Sequence, residues 1–377
     1  MRLLLVNYEY PPVGGGAATA TRSLARCFSQ LGHSVTVLTS GLDADAGERE
    51  EDGIRVQRLK TGRSRLDRAS MREMLAFVLH GLLRLLRTRE RPDAAIVFFS
   101  IPCGPLASML ESKAVPTIVA LRGGDVPGFL PELDRLHAAL RPIRRHCLRH
   151  ARAVVANSPS LAALAQAADG GRVEVIPNGV DTEAFFPAER RDGAGFEVLL
   201  VGRLTEQKRL GLVIEAFQHL CAQCDATQLR LSVVGDGPLR ESLNLAAMRG
   251  GIADRVHWHG WLARDRLSDV YRSADCLVQA SNIEGMSNTV LEAMASGLPV
   301  IASDAPGNRD VVADRVNGLL FPVDDRDALL VALRTLRADA KLRRELGTAS
   351  RRIALERHSW RASAGAYLEL LAPRSGA

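Results

Sequence analysis

Apolar positions along the chain fall into short, nearly continuous runs separated by longer stretches of helical periodicity. LLLVN (3–7), SVTVLTS (34–40), AAIVFFS (94–100), PTIVAL (116–121), AVVANS (153–158) and VEVIPN (173–178) form a first series. Runs that are apolar on both faces suit strands covered by helices on both sides, and hence a parallel sheet. FFPAERRDGAG (185–195), rich in Pro, Gly and charge, interrupts the pattern and reads as a linker. A second series follows: FEVLLVG (196–202), LRLSVVGDG (229–237), RVHWHGW (255–261), DCLVQAS (275–281) and LPVIAS (298–303). The alternation predicts an α/β chain of two Rossmann-like, doubly wound domains, residues 1–187 and 188–359. A ligand cleft is expected between the carboxyl ends of their sheets. The pattern alone leaves a last helix, about 360–373, unassigned to either domain.

Composition changes this picture little. At 377 residues, 46% hydrophobic and 24% charged, the chain is an ordinary globular protein of two-domain length. A net charge of +6 suits an anionic substrate or an anionic membrane surface. No zinc-finger spacing or other nucleic-acid motif is present, so no nucleic-acid partner is expected. The six cysteines are scattered, which fits reduced thiols in the cytoplasm better than a disulfide framework; CAQC (221–224) is a lone pair. MRLLLV is followed at once by polar residues and prolines and reads as a first buried strand. No run reaches the roughly 18 apolar residues of a membrane span.

Three loops at strand ends could carry chemistry. PPVGGGAATA (11–20) puts three glycines before a helix, where backbone amides can approach an anion; a tight turn is the alternative. Its spacing is not that of a dinucleotide fingerprint. VGRLTEQKRLGLVIEAF (201–217) sets Arg203 and Lys208 at a loop–helix junction, where two cations can clamp a diphosphate. Helix starts disfavour cations, so a bound anion would offset them. EGMSNTVLEAMASGLPV (284–300) places Glu284 beside Gly285 ahead of a helix, Ser287 or Asn288 as its cap, and Glu292 about one turn inside. A diphosphate over that helix start would have a carboxylate acceptor for sugar hydroxyls on either side. His257 and His259 alternate on a strand without a third ligand at a convincing spacing, so no metal site is expected.

Taken together, these segments resemble the family 4 glycosyltransferases, retaining enzymes of the GT-B fold. VIPNGVDTEAF, VVGDGPLR, NGLLFPVDD and the Glu284-to-Glu292 spacing carry the likeness, which runs nearly end to end. The resemblance implies a nucleotide-diphosphate sugar donor in the carboxy-terminal domain and an acceptor in the amino-terminal one, with no cofactor or metal. It implies Arg203 and Lys208 at the diphosphate and Glu292 at the ribose. Glu284 with the backbone of Gly285, Met286 and Ser287, leading into Asn288, would hold the donor sugar, and Gly15 and Gly16 would approach the diphosphate. It also implies that the last helix returns to the amino-terminal domain. One departure stands out. Many members carry a His in a stretch like LHGGDV, whereas this chain reads LRGGDV, with Arg122 in its place. Arg122 cannot act as a base at neutral pH; Asp125 is the nearest carboxylate at this reacting-centre position.

The expected reaction is hexosyl transfer by same-face substitution, with the departing phosphate taking the acceptor proton. The expected acceptor is a lipid-linked glycan or surface polysaccharide intermediate. Alternatives are a small natural product such as an aminocyclitol antibiotic precursor, and, in another class, a non-catalytic sugar-nucleotide sensor. Two basic apolar segments, MLAFVLHGLLRLLRTRERP (74–92) and RPIRRHCLRHARA (141–153), could rest on the inner face of a membrane or simply cover the sheet.

Overall fold

The computed structural model describes residues 1–66, 68–188, 195–223 and 228–372. The chain divides into two compact units, Met1–Asn178 with Trp360–Ala377, and Gly179–Ser359. In chain order the first contains β1 (Arg2–Val6), α1 (Gly16–Gln30), β2 (Ser34–Ser40), β3 (Gly47–Glu51), β4 (Ile54–Leu59), α2 (Met71–Arg87), β5 (Ala94–Phe98), α3 (Gly104–Ser112), β6 (Thr117–Leu121), α4 (Asp134–His150), β7 (Ala153–Ala156), α5 (Pro159–Asp169) and β8 (Glu174–Val175). The second continues with β9 (Phe196–Val201), α6 (Leu210–Gln223), β10 (Leu229–Val234), α7 (Arg240–Arg249), β11 (Val256–Gly260), α8 (Arg264–Ser273), β12 (Cys276–Gln279), α9 (Asn288–Ala295), β13 (Val300–Ser303), β14 (Gly318–Phe321), α10 (Arg326–Ala338) and α11 (Ala340–Arg357); α12 (Trp360–Leu371) closes the chain.

The first sheet has the order β3-β4-β2-β1-β5-β6-β7-β8. Its pairs are parallel except β3 with β4. That antiparallel edge was invisible to the apolar pattern, because GEREE is polar and mostly exposed. The run VEVIPN yields only the two-residue strand β8, since it pairs on one side alone and leaves Val175 42% exposed.

The second sheet, β11-β10-β9-β12-β13-β14, is wholly parallel. From β9 the chain winds outward to β11, then returns to β12 beside β9 and winds the other way. The reversal therefore lies between β9 and β12. Ligands of doubly wound sheets sit outside the carboxyl strand ends at such a point.

The change of unit comes at Gly179, ahead of the boundary at 187/188 expected from composition. Val180 and Phe185 are buried in the second unit's core, and the Phe185 ring stands edge-on to Tyr271 at 5.5 Å. Arg351 fixes the same segment by donating to the carbonyls of Phe185 at 2.9 Å and Thr182 at 3.2 Å. Of the expected linker, residues 189–194 lie outside the described residues, as does Cys224 of CAQC.

α12 belongs to the first unit. Ala364, Tyr367 and Leu371 are buried in one cluster with Leu24, Phe28 and Ile118, and Arg152 donates to the Leu370 carbonyl at 2.7 Å. α4 is less of a free basic helix than its sequence suggests. Arg144 is buried and holds Asp169 of α5 in a two-pronged grip of 2.8 and 2.9 Å. Burying an arginine demands such pairing.

Candidate active site

The loops after β9 and β12 meet at the reversal point of the second sheet. The loop after β10 packs close against the loop after β9 because Gly235, at φ +120°, has no side chain: a Cβ there would stand 2.0 Å from the Gly202 carbonyl oxygen. The loop after β9 then bonds to the loop after β10, from Leu204 N to Asp236 O at 3.0 Å. This leaves Arg203, Lys208 and Gln279 around one concavity at the carboxyl strand ends.

Lys208 does not wait alone in that concavity. Its Nζ lies 2.7 Å from Glu284 Oε1, with 18% and 12% of the two side chains exposed. The amide of Gln279, the last residue of β12, donates to the same Glu284 oxygen at 3.0 Å and to the hydroxyls of Ser281 and Ser287, each at 3.2 Å. Gln207 ties the two loops again, donating to Ile283 O at 2.8 Å and accepting from Asn282 N at 3.1 Å. The cation that sequence reasoning assigned to the diphosphate and the acid it assigned to the donor sugar are thus one ion-paired unit. Arg203 is exposed.

α9 starts at Asn288, with Gly285, Met286 and Ser287 buried ahead of it. Ser287 occupies the cap position, yet its hydroxyl makes no cap hydrogen bond; it contacts Thr289 Oγ1 at 2.9 Å and receives the Gln279 amide. The side-chain cap expected from Ser287 is therefore absent, and Asn288 is the first residue of the helix rather than the one before it. A helix start without a side-chain acceptor directs its first-turn N–H groups at whatever anion lies in front. Met286, Val290, Leu291 and Met294 anchor the other side in the core.

Glu292 lies on the next turn and turns toward α8, where the buried Tyr271 hydroxyl donates to Oε2 at 2.9 Å. Burial pushes the Glu292 carboxyl up to about 7; the Tyr271 hydrogen bond and the charge of Arg264 only partly oppose this. A carboxyl in that range changes charge near neutrality.

The remaining candidates are in the first unit. α1 begins at Gly16 with Gly15 as a cap that offers no side chain. Asp125 is buried and fully engaged: Oδ2 accepts from Ser100 N at 2.6 Å, and Oδ1 from Arg122 N at 2.9 Å and Gly123 N at 3.2 Å. It ties the end of β5 to the end of β6, and burial raises its carboxyl above the ordinary range. Arg122 lies over the Phe98 ring at 4.7 Å and donates to Asn178 Oδ1 at 2.8 Å and the Tyr367 hydroxyl at 3.4 Å. His259 is bonded to Ser232 Oγ at 3.1 Å and tilts against His257. Trp261 is 79% exposed. Among the described residues no group of three or more His, Cys, Asp or Glu is placed to hold a metal ion.

The sequence profile for a glycosyl transferase 4-like domain matches residues 15–179, and that for glycosyl transferases group 1 matches 181–353. The D-inositol 3-phosphate glycosyltransferase of Nocardiopsis dassonvillei is 30% identical over 371 residues, covering 89% of this chain and 84% of that one. The chain is a family 4 glycosyltransferase. This glycosyltransferase is also 30% identical, over 365 residues, to the 2-deoxystreptamine N-acetyl-D-glucosaminyltransferase of Streptomyces fradiae, covering 89% of this chain and 86% of that one. The Anabaena protein HepE, solved with UDP-glucose, superimposes with a TM-score of 0.77 at 20% identity, covering 98% of this chain and 99% of that one. The fold is GT-B, with two parallel-sheet Rossmann-like domains.

Sequence reasoning missed two side chains of this glycosyltransferase. Gln279 is a 3%-exposed amide ending an otherwise apolar strand, and a polar residue so placed needs partners. Tyr271 gave no sign, since its link to Glu292 crosses between two helices.

Proposed function

We propose that this glycosyltransferase moves a hexosyl-type sugar from a nucleotide-diphosphate donor to a lipid-linked glycan or surface polysaccharide intermediate, with retention at the anomeric carbon. The Lys208–Glu284–Gln279 cluster beside the uncapped start of α9 is the observation that carries the reading. A diphosphate over the helix start would face Lys208, Arg203 and the first-turn amides. Glu284, whose position Lys208 and Gln279 hold, would accept hydrogen bonds from the donor sugar. Glu292 would accept from the ribose. Gly15 and Gly16, at the start of α1, would offer backbone N–H groups to a phosphate, and the amino-terminal domain would carry the acceptor. The HepE structure with UDP-glucose supports a donor of this class.

In this reading the C–O bond between sugar and diphosphate breaks while the acceptor oxygen attacks the same face. The acceptor proton passes to the departing phosphate oxygen. The protein's contribution is charge placed in advance: Arg203, Lys208 and the α9 N-terminus oppose the negative charge growing on the leaving group. No metal or cofactor is invoked. Arg122 and Asp125, bonded within the amino-terminal domain, would shape the acceptor side without acting as a base.

The test is release of nucleoside diphosphate from a panel of sugar nucleotides, with and without lipid-linked and free acceptors. Release that depends on a lipid-linked acceptor supports the reading; no release from any donor, with any acceptor, removes it. A second reading, transfer to a small cyclitol, is favoured by the two relatives named for D-inositol 3-phosphate and 2-deoxystreptamine. Turnover with free cyclitols, and none with lipid-linked acceptors, would select it.

A further inference from the structure

α2 has two apolar faces, and the protein uses only one. Phe77, Gly81 and Leu85 form the buried side. Gly81 presses so closely on α3 that a Cβ there would stand 2.5 Å from Leu106 Cδ2. The helix is fixed in this orientation by a capping box between Ser70 and Glu73. Lys113 donates to Leu85 O at 2.6 Å, and the His80 ring contacts Lys60 O at 2.7 Å. Its rotation is therefore set by contacts on several sides.

The other apolar face points outward along four turns. Met71 is 50% exposed, Leu75 62%, Leu79 57%, Leu83 39% and Leu86 61%. Large side chains recurring every three or four residues lie on one stripe. Single exposed leucines need no explanation, but a contiguous stripe marks a surface that meets something. Charge indicates what. Arg72 and Arg87 border the stripe, Arg89 and Arg91 follow directly after the helix, and all four are exposed. Among the described residues none of them has an ion-pair partner. Glu73 is consumed by the cap, and Glu90 faces Arg55 at 3.5 Å. A leucine face with an arginine border matches the boundary between acyl chains and anionic headgroups. The other basic segment, on α4, lacks this character, because Arg144 turns inward to Asp169.

We infer that the outer face of α2 is a docking surface for an anionic lipid bilayer. Met71, Leu75, Leu79 and Leu86 enter the boundary layer, while Arg72, Arg87, Arg89 and Arg91 meet lipid phosphates. No helix of the described residues is long and apolar enough to cross a membrane, so the contact is one of lying on the surface. The inference does not depend on the donor or acceptor proposed above, and its test reads no catalysis.

Purified protein is sedimented with vesicles of phosphatidylcholine alone or with added phosphatidylglycerol. The protein partitions onto the anionic vesicles, and binding falls steeply between about 0.1 and 1 M salt as the screening length shrinks from about 10 to 3 Å. The triple variant Leu75→Gln/Leu79→Gln/Leu86→Gln loses binding at least about tenfold while keeping the wild-type circular dichroism and melting temperature. Arg87→Gln/Arg89→Gln/Arg91→Gln loses binding to a similar degree at low salt only. Absence of a vesicle-bound fraction at low salt overturns the inference. So does a folded triple-Gln variant that still binds. A concentration-dependent dimer that the triple variant dissolves, without vesicle binding, would reassign the face to a second copy of the chain.

Discussion

Lys208 Nζ lies 2.7 Å from Glu284 Oε1, and Gln279 holds that same oxygen from the other side at 3.0 Å. The cation proposed for the leaving group and the acid proposed for the sugar are thus held in one hydrogen-bonded unit. A diphosphate arriving at Lys208 draws on a partner that Glu284 already has, so changes to any of the three should affect both donor binding and turnover.

Arg203 and Lys208 should separate in a mutational test. Either change to Ala is expected to lower kcat by about a hundredfold or more, the usual loss of one preorganised donor. Arg203 is exposed, so Arg203→Ala should leave the melting temperature unchanged. Lys208→Ala leaves Glu284 partly buried without its cation and should also cost about 1 kcal/mol or more of stability. Steady-state kinetics with urea denaturation read both; near-normal kcat in Arg203→Ala and Lys208→Ala would remove the clamp.

Gln279→Leu keeps approximate volume and deletes a donor that serves Glu284, Ser281 and Ser287 at once. Unsatisfied partners should cost about 1–3 kcal/mol in stability. With Glu284 no longer held from β12, kcat/KM should fall as well. An unchanged kcat/KM would show that Glu284 keeps its place through Lys208 alone.

Glu292 should make stability depend on pH in an unusual direction. Its folded-state value, about 7, lies above the ordinary 4.5. Folding therefore favours the protonated acid: this contribution is whole below about pH 4.5 and is lost as pH rises through about 7. The span corresponds to about 3 kcal/mol. Glu292→Gln should consequently gain on wild type in chemical denaturation between pH 5 and about 8. A constant difference across that range would refute the burial effect. If the ionised form accepts ribose hydroxyls, donor affinity should rise across the same range in wild type and stay flat in Glu292→Gln.

Gly235→Ala should be among the most damaging small substitutions. The new methyl would meet the Gly202 carbonyl at a backbone angle that side chains avoid. A loss of about 3 kcal/mol or more is expected, measured by urea unfolding. Ala at Gly211, where a Cβ meets nothing within 4 Å, serves as the control.

The strand cores were legible because parallel strands are apolar on both faces; Leu3 to Val6 and Val198 to Leu200 are all nearly inaccessible. β3 was not, because an edge strand can be as polar as GEREE. The helix holding Glu292 was legible from local spacing. Its tyrosine partner was not, since that pairing is decided by how α8 packs on α9. Arg144 looked like part of a basic face because sequence cannot show that Asp169, 25 residues on, turns to meet it. Lys208 and Glu284 were each recognisable, but their separation of 76 residues hid that they touch.

α12 has a consequence for how the molecule comes into being. The cluster around Leu24, Phe28 and Ile118 is closed by Ala364, Tyr367 and Leu371. Those residues leave the ribosome only after the whole of Gly179–Ser359. During translation the earlier half must remain unsealed while the later half matures, and a fragment cut at Asn178 would carry an open apolar wound.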